Sequence, residues 1–216
     1  MDDLTTLRNA VAAAHPSTPG DIVDDFREFV GELRPMIEEI QTAVLARNAA
    51  FDARDPDRSE TRIRAMCAAI AGSAIVASAL WRTDAHLYET ADVDIFCTPD
   101  AFEELDAIVR KYGPTDVFTP GHVYTFKTEG VVQDVRRYAF GDGKRDVEIV
   151  VVRDAREALA GFDLSACRSY FDFSAFHVMS EVYVHQTTWQ DSGKSTARIA
   201  KYLRRGFKIV PLVATE

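Results

Sequence analysis

Apolar residues in the first part of the chain recur at helical spacing. After Pro16, Ser17 and Thr18, the positions Ile22, Phe26, Phe29, Val30 and Leu33 fall at i, i+4, i+7, i+8 and i+11, with Asp and Glu filling the other face. That stripe predicts an amphipathic helix with one buried side. Pro35 interrupts it, and Met36, Ile37, Ile40, Val44 and Leu45 carry a second helical stripe. The polar run Asp55-Pro56-Asp57-Arg58-Ser59-Glu60 reads as a linker. The chain thus divides into an N-terminal helical segment, residues 1–60, and a domain over 61–216.

Beyond the linker, strands and helices interleave. Val93, Ile95 and Phe96 form a short β-prone run ending at Thr98-Pro99-Asp100. Ala101 to Tyr112 is a predicted helix, with Phe102, Leu105, Ile108 and Val109 on one face and Gly113-Pro114 as its stop. Val123–Lys127, Val131–Phe140 and Val147–Val152 are predicted strands, the last two joined by the turn Gly141-Asp142-Gly143-Lys144. Asp154–Ala160 is a short helix candidate, and Phe162 to His185 is rich in aromatic and β-branched residues. A last helix over Ser195–Arg205 is closed by Gly206 and followed by the strand-like Phe207–Val213. The pattern predicts an α/β (α+β) fold: a mixed sheet flanked by helices, behind an N-terminal helical segment.

Composition narrows the setting. A hydrophobic fraction of 47% and a charged fraction of 27% are those of a soluble globular protein. No apolar run reaches the roughly 20 residues needed to cross a bilayer. The acidic start Met1-Asp2-Asp3-Leu4 lacks a signal peptide's basic and apolar regions. The expectation is a cytoplasmic protein without a membrane partner. Cys67, Cys97 and Cys167 are odd in number, widely spaced and set among apolar neighbours, which predicts buried free thiols rather than disulfides or a zinc site. A formal charge of −9 excludes a protein that coats nucleic acid with its whole surface.

A local basic patch survives that exclusion. Lys194, Arg198, Lys201 and Arg205 recur at i, i+4, i+7 and i+11, and the span from Ser192 to Val210 holds six basic residues and no acidic one. Such a face suits a triphosphate or a short or structured RNA, or else is a solvated cationic surface. Ile199, Leu203 and Phe207 are expected to dock the helix on the core.

The most informative segment is Ala91-Asp92-Val93-Asp94-Ile95-Phe96. On a strand, residues i and i+2 share a face, so Asp92 and Asp94 present two carboxylates side by side. Like charges that close are costly unless neutralised, and Mg²⁺ is suited to this because it prefers hard oxygen ligands. The alternative has one aspartate in solvent and the other capping the next turn. Upstream, Gly72-Ser73 forms a small-residue turn before a helix-compatible stretch, a place where backbone N–H groups can meet a phosphate. Downstream, Glu148 lies between β-branched residues, where a buried carboxylate needs a metal, a basic residue or a hydrogen-bond network. On an edge strand it would face solvent instead. The five histidines show no metal-binding spacing, and His177 and His185 are expected to pack.

Gly-Ser, then Asp-x-Asp on a β-prone run, then an acid flanked by apolar residues: this order resembles the nucleotidyltransferase superfamily typified by DNA polymerase beta. Gly72 and Ser73 match its glycine turn, Asp92 and Asp94 its paired-acid strand, and Glu148 its third-acid strand, with Asp163 as a competitor for that last role. Phe162–Cys167 and Arg198–Phe207 are similar to segments of nucleotidyltransferase-like proteins of large DNA viruses. The resemblance covers residues 65–210. Two features depart from it: Ala65–Ala71 is alanine-rich for a strand, and the long gap from Ser73 to Asp92 implies an extended helix or an inserted loop. The resemblance implies Mg²⁺-dependent transfer of a nucleotide from an NTP to an acceptor hydroxyl on RNA, protein or a small molecule. Asp92 and Asp94 would hold the metal, Gly72 and Ser73 the β,γ-phosphates, and Glu148 the ion that activates the acceptor. Lys201 and Arg205 would join the nucleotide site. The other reading it implies is a catalytically inactive fold acting as a nucleotide-binding or protein-interaction module.

Overall fold

The computed structural model describes residues 19–54, 66–119, 132–189 and 196–211. The linker over 55–60, the strand expected at Val123–Lys127, and Lys194 lie outside these. The first helical stripe forms α1 (Pro19–Val30), whose Ile22, Phe26, Phe29 and Val30 are buried. A 3₁₀ turn at Gly31–Leu33 leads to α2 (Arg34–Arg54). Pro35 sits in the first turn of α2, where its missing N–H has no intrahelical partner to lose, so it begins this helix instead of breaking one. Met36, Ile37, Ile40 and Val44 are buried as the spacing predicts, whereas Leu45 is exposed.

Seven strands form one mixed sheet in the order β3-β4-β5-β2-β1-β6-β7. They are β1 (Ala68–Ala71), β2 (Val93–Cys97), β3 (Asp116–Phe118), β4 (Val132–Ala139), β5 (Val147–Val152), β6 (Tyr170–Phe171) and β7 (Phe176–His177). β2 and β5 run parallel, and the other neighbours are antiparallel. β1 is a strand despite its alanines, because it is wedged between β2 and β6 and all four of its residues are fully buried. Strand propensity yields there to burial and pairing on both sides.

The gap between Ser73 and Asp92 folds as α3 (Ser73–Ala79), α4 (Trp81–Asp84) and a 3₁₀ turn (Ala85–Tyr88). After β2 comes α5 (Pro99–Lys111), opened by a proline in its first turn. The hairpin turn joins β4 to β5 with Gly141, Asp142 and Gly143 all at positive φ. α6 (Ala155–Ala160) is capped by the Asp154 side chain, which accepts from the N–H groups of Arg156 and Glu157. α7 (Ser180–Tyr183), β8 (Gln186–Trp189), α8 (Thr196–Arg204) and β9 (Lys208–Pro211) complete the chain, β8 and β9 pairing in parallel as a separate small sheet.

Helices α1, α2, α3 and α5 share one continuous apolar core with the sheet. The N-terminal helices, set apart by the sequence pattern, thus pack into the same core. At roughly 1.5–3 kcal/mol for each fully buried large apolar side chain, the α1 and α2 stripes contribute substantially to holding the sheet covered. All three cysteines are free and buried, and burial pushes the Cys67 thiol up to about 11 and Cys97 to about 12. Among the described residues, no helix is long and apolar enough to cross a membrane.

Candidate functional site

The sheet register sets one row of side chains across all seven strands. Phe118, Arg137, Glu148, Asp94, Ala71, Tyr170 and His177 are successive pair partners, and partners directly opposite project from the same face. Asp94 and Glu148 are thus brought together by β2–β5 pairing. Asp92, just before β2, joins them, and the three carboxylates offer oxygens that all lie within 4.8 Å of one another. Asp92 and Asp94 are half-buried and Glu148 is buried.

One oxygen of Asp94, Oδ1, is enclosed and has no hydrogen-bond partner among the described residues. A buried acceptor without a donor is costly. Burial, with the nearby charges of Asp92 and Glu148, drives the Asp94 carboxyl well above the usual range, opposed by Lys201 and Arg198. Three converging hard-oxygen donors with one unsatisfied oxygen fit a divalent cation such as Mg²⁺.

The glycine turn lies against these acids. Gly72 follows β1 with φ +74° and ψ −135°, a conformation essentially reserved for glycine, and precedes the first residue of α3. A Cβ placed on Gly72 would stand 3.6 Å from Asp94 Oδ2, and its own N–H donates to the Ser169 carbonyl at 3.2 Å. Ser73 is buried beside it. Gly72, Ser73, Asp92, Asp94 and Glu148 therefore meet at one end of the sheet.

The basic face of α8 does not act as one surface. Arg198 pairs with Asp163, its Nη1 2.5 Å from Oδ1, so the competing third acid already has a guanidinium partner and stands outside the carboxylate cluster. Lys201 is half-buried within electrostatic reach of Asp92 and Asp94. Burial and Arg205 push its ammonium below the usual lysine range, and the two aspartates oppose that. Arg205 turns inward and is buried, with Nε donating to the Leu87 carbonyl and its guanidinium 4.2 Å above the Tyr88 ring. The helix docks through Tyr202 and, just beyond its end, Phe207, both buried, with Ile199 packed against the core as expected, while Leu203, the third residue of the expected docking stripe, is 54% exposed. The reason is that the cationic face, not Leu203, turns inward, because Asp163 and the Tyr88 ring offer partners there.

Two arginines complete the site that sequence reasoning overlooked. Arg137 donates from Nη1 to Glu148 at 3.0 Å and from Nε and Nη2 to Asp146 at 3.1 and 2.8 Å. The hairpin turn at Gly141–Lys144 carried the signal, since it fixes the register that sets Arg137 opposite Glu148. Arg145 gathers the segment entering Asp92: Nη1 donates to the carbonyls of Tyr88, Glu89 and Ala91, and Nε to that of Phe29. Its guanidinium lies 3.8 Å over the Phe29 ring. No sequence pattern marked it. His177 stacks on Tyr170 and bonds Asp172, and His185 bonds Asp84, so both histidines pack as expected.

No protein-family model matches the chain, and no curated protein is significantly similar to it.

Proposed function

We propose that this protein is a Mg²⁺-dependent nucleotidyltransferase that moves a nucleotide from an NTP to an acceptor hydroxyl. The observation that supports the reading best is the convergence of Asp92, Asp94 and Glu148 within 4.8 Å, with the Gly72 turn packed against Asp94. On this reading Asp92 and Asp94 hold the metal in common, and Glu148 serves the acceptor side. Bound Mg²⁺ supplies charge stabilisation for the attacking and leaving oxygens of an in-line displacement at phosphorus. Lys201 supplies a cation within electrostatic reach of the aspartates for the triphosphate, and the bare backbone of Gly72 leaves room for a phosphate to approach. RNA, protein or a small molecule could be the acceptor, and an intracellular setting belongs to the same proposal.

Calorimetric titration with each NTP, with and without Mg²⁺, tests it. Binding that needs Mg²⁺ and disappears in the double variant Asp92→Ala/Asp94→Ala is the expected result, and would be followed by a search for the acceptor with labelled NTP. Failure of every NTP to bind would end this reading.

One observation favours a second reading, a fold of this type that binds nucleotide or a protein partner without transfer. Among the described residues of this face, Arg198 and Arg205 are committed to Asp163 and to the Leu87–Tyr88 segment, and Lys201, without such a partner in hydrogen-bond contact, lies within electrostatic reach of the acids. That reading predicts nucleotide binding that survives chelation of the metal.

A further inference from the structure

The carboxylate cluster carries its own counter-cation. Asp92, Asp94 and Glu148 would place three negative charges within a few ångströms, yet Glu148 Oε1 already accepts from Arg137 Nη1 at 3.0 Å. Arg137 is held there by its other two donors, both on Asp146. Among the described residues, the other cations whose charge reaches the cluster are Lys201 and Arg198 from α8, and Arg145, which acts on Asp92 from the turn before β5. Arg198 and Arg145 are spent on Asp163 and on four backbone carbonyls. Among the described residues, Arg137 is in direct contact with the cluster, at Glu148.

We propose that Arg137 is a resident counter-cation which a divalent ion must outcompete at Glu148, so that metal alone binds weakly and the site fills when metal and nucleotide arrive together. This rests on the metal-dependent reading above. A lone ion meets a cluster whose third carboxylate has one oxygen committed and its charge partly neutralised, so it gains less than it would from three free carboxylates. A metal–nucleotide complex brings phosphates that engage Lys201, and this attraction adds to the metal's own. Arg137 also keeps Glu148 in place without metal, because the Asp146 anchor fixes its guanidinium.

Mn²⁺ titration followed by electron paramagnetic resonance, with no nucleotide present, measures this directly. Arg137→Gln should tighten Mn²⁺ binding by at least about tenfold, because a full unit charge beside the ion is removed. Arg137→Lys, which keeps the positive charge beside Glu148, should leave Mn²⁺ binding close to wild type. In a Glu148→Gln background, the tightening brought by Arg137→Gln should shrink, because position 148 then offers no carboxylate for the guanidinium to occupy and only the removal of its charge remains. Near-UV circular dichroism establishes that each variant is folded, and if Arg137→Gln does not fold, Arg137→Met, equally uncharged and with a similar stem, takes its place. Equal affinity in all variants, or weaker binding in Arg137→Gln, would overturn the proposal while leaving the metal site standing. Absence of Mn²⁺ binding in the wild type and every variant would remove the metal-dependent function as well.

Discussion

Asp94 and Glu148 stand directly opposite each other on the neighbouring parallel strands β2 and β5. Strands in a sheet are about 4.8 Å apart, so two carboxylates in register on one face repel unless a cation lies between or beside them. Asp92 intensifies the repulsion and Arg137 relieves part of it. The arrangement is unfavourable as packing and useful as a cation site, which is why it carries the functional reading.

Asp94→Asn removes one of the like charges and keeps the shape. In EDTA at neutral pH, the variant should melt no lower than wild type, and higher by the equivalent of about 1 kcal/mol if repulsion dominates. Mg²⁺-dependent nucleotide binding should be lost. A fall in melting temperature of several degrees would show that Asp94 is structural.

At Gly72 the backbone, not the space, is limiting. A Cβ would make an ordinary contact with Asp94 Oδ2 at 3.6 Å, but φ +74° is strained for any side chain. Gly72→Ala should cost about 1–3 kcal/mol in urea unfolding. It should also weaken nucleotide binding more than metal binding, because the methyl group fills the approach to the turn. Unchanged stability would mean that the backbone relaxes freely there.

Arg145→Ala strips a donor from four carbonyls and the cation from the face of Phe29. These contacts are part-buried, that to Glu89 exposed, and the Tyr88 carbonyl still accepts from the Ala91 N–H, so a loss of about 1–3 kcal/mol is expected in chemical denaturation. Metal affinity should fall too, since the Tyr88–Ala91 segment sets the position of Asp92. Arg145→Lys should recover little, as one ammonium cannot reach in as many directions as a guanidinium.

Asp106 supplies a pH test away from the site. Burial would raise its carboxyl, but donors from Arg110, Tyr138 and Arg136 outweigh that and hold it below the usual range. A depressed folded-state pKa contributes stability above the unfolded value near 4, and this is lost as pH falls through the folded value. Asp106→Asn should therefore destabilise at pH 7 by about 2–4 kcal/mol. The gap from wild type should narrow below about pH 4. A pH-independent gap would show that shape, not charge, is what Asp106 provides.

Local pattern determined much of this protein. The spacing of Ile22, Phe26, Phe29, Val30 and Leu33 encodes a buried helix face, because one helical turn returns every third or fourth residue to the same side. The alternation in Asp92-Val93-Asp94 sets both acids on one face, and Gly141–Lys144 closes the β4–β5 hairpin, because these are properties of a few neighbouring residues. What only the tertiary structure decided are relations between residues far apart in the chain. That Glu148 lies beside Asp92 and Asp94 while Asp163 does not came from strand order: β5 pairs with β2, and Asp163 lies where α8 presents Arg198. Lys201 half-buried within electrostatic reach of the acids, Arg205 turning inward and Leu203 left in solvent follow from how α8 lies on its neighbours. A sequence shows which face of a helix is charged, but the direction of that face depends on where buried carboxylates and aromatic rings can satisfy it.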